Sequence, residues 1–238
     1  MFSKKKIELT AYTYHPSYAS SCPPIYKNVE RPDWLTRLKN FTVDLDPRSR
    51  IPVKTPTVGV CPGIRDYLTE CVQLNLWTDI SIKIMPDGSW SHYVRPGWDD
   101  ITIGEHPKLQ YGDAYNNRVS LKLTSPWYFV TDDDIKFMFV ESHYSTTVFR
   151  DNDIIVPPGV ISYKWQHSTN VHLSFPIKEQ EYIVHLKHGT PLISMFPMSE
   201  RPVDFKVKLV DPQEWGKINE HFPKMFIGRY YKQAGKKS

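Results

Sequence analysis

The chain has 238 residues, with 30 basic and 26 acidic side chains, a formal net charge of +4, 40% hydrophobic and 24% charged residues. That balance suits a globular chain with one sizeable core and excludes a low-complexity or disordered polymer. No apolar run approaches the roughly 20 residues that a membrane-spanning helix needs. The start, MFSKKKIELTAYTY, also lacks the continuous apolar stretch of a signal peptide.

The most informative counts are 20 Pro, 14 Tyr, 11 Phe and 7 Trp. Proline at that density predicts many short elements, because it ends helices and is tolerated in sheets only at edges and bulges. In chain order, Ile7–Tyr14 alternates polar and apolar residues and predicts a strand. Residues 15–31 are rich in Pro, Ser and Tyr and read as an irregular crossing. Pro32–Lys39 follows as a short amphipathic helix, with Pro in the first turn and Trp34, Leu35 and Leu38 on one face. Residues 41–60 hold Pro47, Pro52 and Pro56 without an apolar period, so a loop is expected. Its length is unusual, since structureless loops beyond about 12–15 residues commonly bind something or move.

Cys61–Glu70 predicts a second helix, with Ile64, Tyr67, Leu68 and Cys71 spaced as a buried stripe. From Val72 the pattern becomes β. Asp79–Met85 alternates, turns at Pro86-Asp87-Gly88 and returns over Ser89–Val94, a strong hairpin signature. A polar loop spans 95–112. Val119–Leu123 and Trp127–Val130 read as two strands, and Ile135–Val140 returns after the Asp132-Asp133-Asp134 turn. Four apolar runs then follow: Ile154–Val156, Val171–Phe175, Tyr182–Leu186 and Leu192–Phe196. Their Pro and Gly corners predict a meander of neighbouring strands. Val203–Val210 alternates as a half-buried strand. Asp211-Pro212 caps a terminal helix, expected to break at Pro223.

About ten short strands with about three short peripheral helices predict an all-β sandwich, jelly roll or distorted barrel. A single domain over 1–238 is expected, with a Pro-rich N-terminal arm over 1–60, a β core over 72–210 and a helix with a basic tail over 211–238.

Candidate chemistry is sparse. Cys22, Cys61 and Cys71 are odd in number and form no CxxC pair, so they read as reduced thiols. His167 and His172 flank a turn and could hold a metal together with a carboxylate, as in a cupin-like oxygenase. The His-x-Asp/Glu signature of such sites is absent. His185 and His188, three apart, would point to opposite faces of a strand. Asp132–Asp134 could meet a hard cation but lacks the other ligands of a calcium loop. Trp98, Asp99, Asp100 and His106, with Glu105, mark a loop suited to an interaction. No phosphate-binding GxxxxGK[ST] loop and no GxSxG elbow occurs. No cofactor is expected. The basic clusters at the ends (Lys4–Lys6, and Lys232, Lys236 and Lys237) offer at most a minor contact with nucleic acid.

A series of motifs along most of the chain carries a resemblance. It comprises Arg31-Pro32-Asp33-Trp34-Leu35, Cys61-Pro62-Gly63-Ile64-Arg65-Asp66, Leu76-Trp77-Thr78-Asp79, Ser125-Pro126-Trp127, Pro158-Gly159-Val160-Ile161 and Lys187-His188-Gly189-Thr190-Pro191-Leu192-Ile193. In order and spacing the chain resembles a family of proteins without an assigned activity, encoded by tailed bacteriophages, marine ones especially. The last two motifs also resemble the closing strands of deoxyuridine triphosphatases and related deaminases, which implies a triphosphatase-like β-clip. Ser162 stands where that family has its water-activating Asp, and a Ser hydroxyl is not basic near neutral pH.

The resemblance implies a non-enzymatic phage protein, a virion-associated structural or docking β-sandwich. Its partners would be capsid, neck or tail proteins, and its location the virion or the host cytoplasm, with no membrane and with oligomers conceivable. The alternative it implies is a nucleotide-binding or hydrolysing enzyme, with Ser162, Lys164 and Gln166 lining a pocket and Arg201 or Arg150 meeting phosphate.

Overall fold

The structure, a computed structural model, describes residues 5–27, 29, 31–94, 103–106 and 115–226, with side chains as far as 219. It is an all-β sandwich carrying five short helices. One sheet has the order β12-β9-β1-β15, and β8 also pairs with β9. Its strands are β1 (Ile7–Thr13), β8 (Ile103–Glu105), β9 (Arg118–Val130), β12 (Ser168–Pro176) and β15 (Val203–Leu209). The second sheet has the order β11-β10-β14-β5-β2. It is built from β2 (Ile25–Tyr26), β5 (Val72–Asn75), β10 (Phe137–Glu141), β11 (Gly159–Ile161) and β14 (Pro191–Pro197). A three-stranded sheet, β13-β6-β7, joins β6 (Ile80–Ile84), β7 (Trp90–Val94) and β13 (Tyr182–Leu186).

The core follows from strand alternation, since successive side chains face opposite sides. Ile7, Leu9 and Ala11 of β1, Leu121, Leu123, Trp127 and Phe129 of β9, and Val171, Leu173 and Phe175 of β12 all point inward. They share one cluster with Phe137, Ile193 and Met195 of the second sheet, and with Ile80, Ile82, Ile84, Val184 and Leu186 of the third. Tyr163 is fully buried at the centre, its ring 5.1 Å from Phe129 and 5.2 Å from Phe137. Its hydroxyl lies 2.9 Å from Thr169 Oγ1, and burial holds the phenol far above its ordinary titration range.

Several expectations are corrected. Residues 15–31 hold a helix, α1 (Pro16–Ser21), besides β2. The expected loop 41–60 is a β-hairpin of β3 (Phe41–Leu45) and β4 (Pro52–Pro56), followed by a 3₁₀ turn at Val58–Val60. The two strands expected within 119–130 are one strand, β9. Its Pro126 cannot donate to a ladder, and the pairing with β12 shifts register between Ser168 and Asn170, beside that proline.

The expected meander is not one. β12 pairs with β9, β13 with β6 and β14 with β10 and β5, so consecutive strands enter three different sheets. Within the Pro-rich N-terminal stretch, β1 lies between β9 and β15 inside the first sheet. The terminal helix, α5 (Pro212–Phe226), runs through Pro223 instead of breaking there. Proline costs one backbone bond and crowds the preceding turn, and the helix continues for three further residues. Besides α1 and α5, the helices are α2 (Asp33–Thr36), α3 (Pro62–Thr69) and α4 (Val148–Asp151). That makes five where about three were expected.

Other expectations stand. Gly88 turns the β6–β7 hairpin with φ +82°, which a side chain disfavours, and Ile84 faces Trp90 across it. Asp211 caps α5, its carboxylate accepting the Glu214 N–H at 2.8 Å. Among the described residues no helix is long and apolar enough to cross a membrane.

Candidate protein-interaction surface

A second, smaller core lies apart from the sandwich. Leu35 of α2, Ile64 and Leu68 of α3, Val29 and Cys71 pack together, with Ile25, Tyr67, Tyr144 and Phe196 around them. The helix signals explain this locally. Pro62 sits in the first turn of α3, and Ile64 and Leu68, four apart, share its inward face. Three aromatic rings then fix the unit to the second sheet. Tyr67 lies 5.1 Å from Tyr144, edge on, and 4.9 Å from Phe196, while its hydroxyl donates to the Glu141 carbonyl at 2.6 Å. Burial raises the Tyr67 phenol to about 12 and also lifts the Glu141 carboxyl.

This unit presents three surfaces. The first is a cavity of about 210 Å³ whose floor is Val29, Leu35, Ile64 and Leu68. Lys27, Arg31 and Arg65 stand around it, with the exposed thiol of Cys61 at the side. The second is a cleft of about 280 Å³ lined by Trp34 of α2 with His143, Tyr144, Thr147 and Arg150. Trp34 is largely exposed and donates its indole N–H to the Tyr144 carbonyl at 3.1 Å.

The third surface is the β3–β4 hairpin, hereafter the arm. Thr57 ties its base to the end of the α2 segment, its N–H donating to the Asn40 carbonyl at 2.9 Å and its hydroxyl to the Lys39 carbonyl at 2.5 Å. Beyond that base every residue of both strands is exposed. Phe41, Val43 and Leu45 are 45%, 70% and 51% accessible, and Ile51 and Val53 add 61% and 45%. The tip is ordered by Asp46, whose carboxylate accepts the N–H groups of Arg48 and Ser49 and the Ser49 hydroxyl. Those hydrogen bonds, the Ser49 ones foremost, lower the Asp46 pKa. Arg50 closes the turn with φ +59°.

The residues singled out in the sequence are dispersed. Ser162 is buried, its backbone carbonyl accepting from Trp165 and Gln166, and its hydroxyl has no hydrogen-bond partner among the described residues. Lys164 lies 5.5 Å from the Trp165 ring. Neither these nor Gln166 line the cavities described above. Arg201 is already engaged, holding Asp133 at 2.8 Å and the carbonyls of Lys5 and Lys6 at 2.6 and 2.8 Å. It anchors the approach to β1 instead of facing a phosphate pocket, although it also borders a shallow cleft beside Phe196. Arg150 lines the aromatic cleft and pairs with Asp151 at 3.7 Å.

His167 and His172 are not brought together as metal ligands. Five residues of extended chain separate them by roughly 15 Å; His167 Nδ1 faces the Ile218 carbonyl of α5 at 3.4 Å, whereas His172 packs on His106 with ring centroids 4.8 Å apart. The His106–His172 pair is a contact that sequence reading did not join. Burial, then His106 and Lys122, push the His172 pKa down to about 4. Among the described residues no group of three or more His, Cys, Asp or Glu gathers as a metal site. Trp98, Asp99 and Asp100 lie outside the described residues.

His185 lies 2.8 Å from Ser81 Oγ on the exposed side of the third sheet. The cysteines behave as small apolar groups where they are buried: burial raises the Cys22 and Cys71 thiols to about 11.

The arm and the two cavities were not visible as one surface in the sequence. The usable signal was the length of segment 41–60 between two helices, with alternating Phe41, Val43 and Leu45 inside it. Comparison with protein-family models and with curated proteins finds no match.

Proposed function

We propose that this protein is a non-enzymatic bacteriophage component, a β-sandwich that docks onto the virion through the α2–arm–α3 unit. The observation that carries the reading is the arm: a ribbon of two strands, exposed on both faces, that with its connecting turn displays five large apolar side chains to solvent. A two-stranded hairpin is marginal by itself in water, and contiguous exposed apolar surface marks an interaction site. The cavity beside it adds a chemical preference. An apolar floor under Lys27, Arg31 and Arg65 suits a segment of a capsid, neck or tail protein that carries an apolar side chain next to carboxylates. The resemblance of the motif series to a tailed-phage family is what suggests the biological setting.

Mass spectrometry of purified particles tests this. The expected result is a constant number of copies per particle, retained through washing, as an interface of roughly 1,200 Å² or more would secure. Absence from the particles overturns it. A reversal of charge at Arg65, on the cavity rim, is expected to lower the copy number while the protein stays folded.

A further inference from the structure

The two edges of the arm differ, and the difference names a partner. The Thr57 N–H donates to Asn40 O, and the Asp46 N–H donates to Ile51 O. Facing pairs in an antiparallel ladder alternate between hydrogen-bonded and non-hydrogen-bonded. The pairs 42/55 and 44/53 are therefore hydrogen-bonded within the arm, and Phe41↔Pro56, Val43↔Lys54 and Leu45↔Pro52 turn their backbone groups outward.

On β4 the outward positions are Pro52, Lys54 and Pro56, so Lys54 holds the only outward N–H. That edge is blunted, as solvent-facing edges commonly are. On β3 the outward positions are Phe41, Val43 and Leu45, and none is proline. The Leu45 N–H is covered by the Asp44 carboxylate at 2.8 Å. Among the described residues β3 pairs only with β4.

We infer that β3 pairs antiparallel with β3 of a second copy of this chain, across a two-fold axis at Val43. The inference rests on the reading of the arm as a contact device and assigns its β3 edge to a second copy, with the cavity and the cleft of the same unit left to meet the virion. A strand that pairs with itself across a two-fold must be self-complementary, and Phe-Thr-Val-Asp-Leu is. Val43 of one copy faces Val43 of the other, Phe41 faces Leu45, and Thr42 faces Asp44, so no like charges stand opposite.

The Leu45 N–H leaves Asp44 for the Phe41 carbonyl of the other copy. Phe41, Val43 and Leu45, now 45%, 70% and 51% accessible, then lie against their counterparts on one face of a four-stranded sheet. The antiparallel arrangement carries the two basic tips, Arg48 and Arg50, to opposite ends. The basic cavity and the aromatic cleft stay open for the virion partner.

Sedimentation analysis of the full chain from about 1 to about 100 µM is expected to show a monomer–dimer equilibrium. Val43→Pro removes an outward N–H and leaves the β3–β4 ladder bonds in place, so the dimer is expected to be lost while circular dichroism is unchanged. If Val43→Pro proves unfolded, a second variant decides the matter. Val43→Cys in a Cys61→Ser background is expected to form an intermolecular disulfide on mild oxidation. Hydrogen-bonded pairs stand about 5.5 Å apart between Cα atoms, within disulfide reach. Val53→Cys, on the blunted strand, is expected not to cross-link.

A monomer throughout the concentration range, or equal cross-linking of Val43→Cys and Val53→Cys, overturns the inference. A monomer that is nonetheless found in purified particles refutes the self-pairing alone and leaves the docking function standing. A dimer absent from particles does the reverse.

Discussion

Leu68→Ala asks whether the α2–arm–α3 unit is a separate layer or merely an extension of the sandwich. Leu68 is 3% accessible and belongs to the small core, together with Leu35, Ile64, Val29 and Cys71. Removing three carbons from a buried leucine forfeits about 2 kcal/mol of transfer free energy. The space vacated, roughly 75 Å³ if nothing relaxes, would add about 2 kcal/mol at the cavity coefficient measured for core leucines. The side chain already borders an open cavity of about 210 Å³, so water and neighbouring groups can move in and shrink that second contribution. The expected loss is about 2–3 kcal/mol, toward the lower end of the Leu→Ala range.

Hydrogen exchange resolves where that loss falls. Backbone amides of α3 and of the arm are expected to lose protection by a factor of about 30–150, corresponding to that free energy. Amides of β9 and β12, in the main core, are expected to exchange as before. Uniform loss of protection across β9, β12 and α3 would refute the idea of a second core with its own stability.

Three further outcomes are expected. His172 is held neutral by burial, with His106 and Lys122 beside it, and its pKa falls from the ordinary 6.5 to about 4. The unfolded chain therefore binds a proton in that window that the folded chain refuses, and stability is lost as pH falls from about 6.5 toward 4. Partial exposure limits the effect to about 1–2 kcal/mol, and denaturant titrations should show a flatter acid limb in His172→Gln; equal slopes would dismiss it. Arg201→Ala is expected to cost about 1–2 kcal/mol, since Asp133 and the carbonyls of Lys5 and Lys6 lose their partner; an unchanged Tm would show that the approach to β1 needs no anchor. In a thiol-labelling assay near pH 8, Cys61 should react at once, with Cys22 and Cys71 reacting only on unfolding. A second fast thiol would contradict the packing around β5 or α1.

Features governed by neighbours in sequence were the legible ones. The Asp87-Gly88 hairpin, the Asp211 cap and strands such as β1 and β13 follow from turn chemistry, capping and period, and all three appear in the structure. What stayed hidden depends on pairing across long separations. The runs at 171–175, 182–186 and 192–196 are strands as read, but nothing local says that the first seeks β9, the second β6 and the third β10. Gly189, with φ +80° and its N–H donating to the Leu76 carbonyl at 2.7 Å, shows how one corner redirects the chain between sheets.

The loop expected over 41–60 is a hairpin for a physical reason that also bears on the inferred pairing of β3. Proline in a run argues against a central strand, and segment 41–60 has three, so the loop reading followed the ordinary rule. The rule concerns strands whose N–H groups are all needed. In the arm, Pro52 and Pro56 occupy outward positions of β4, where no ladder bond is lost, and Pro47 lies in the tip. The prolines thus do not oppose the hairpin; they decide which of its edges can be extended. The same distribution that concealed β3 and β4 in the sequence leaves Phe41, Val43 and Leu45 on a strand edge with no proline among them. If β3 pairs with itself as inferred, substituting Pro52 by Val should create a second competent edge and drive the chain from discrete dimers toward larger assemblies. Light scattering would register that growth, and a Pro52→Val variant no larger than the parent would refute the view that proline guards the β4 edge.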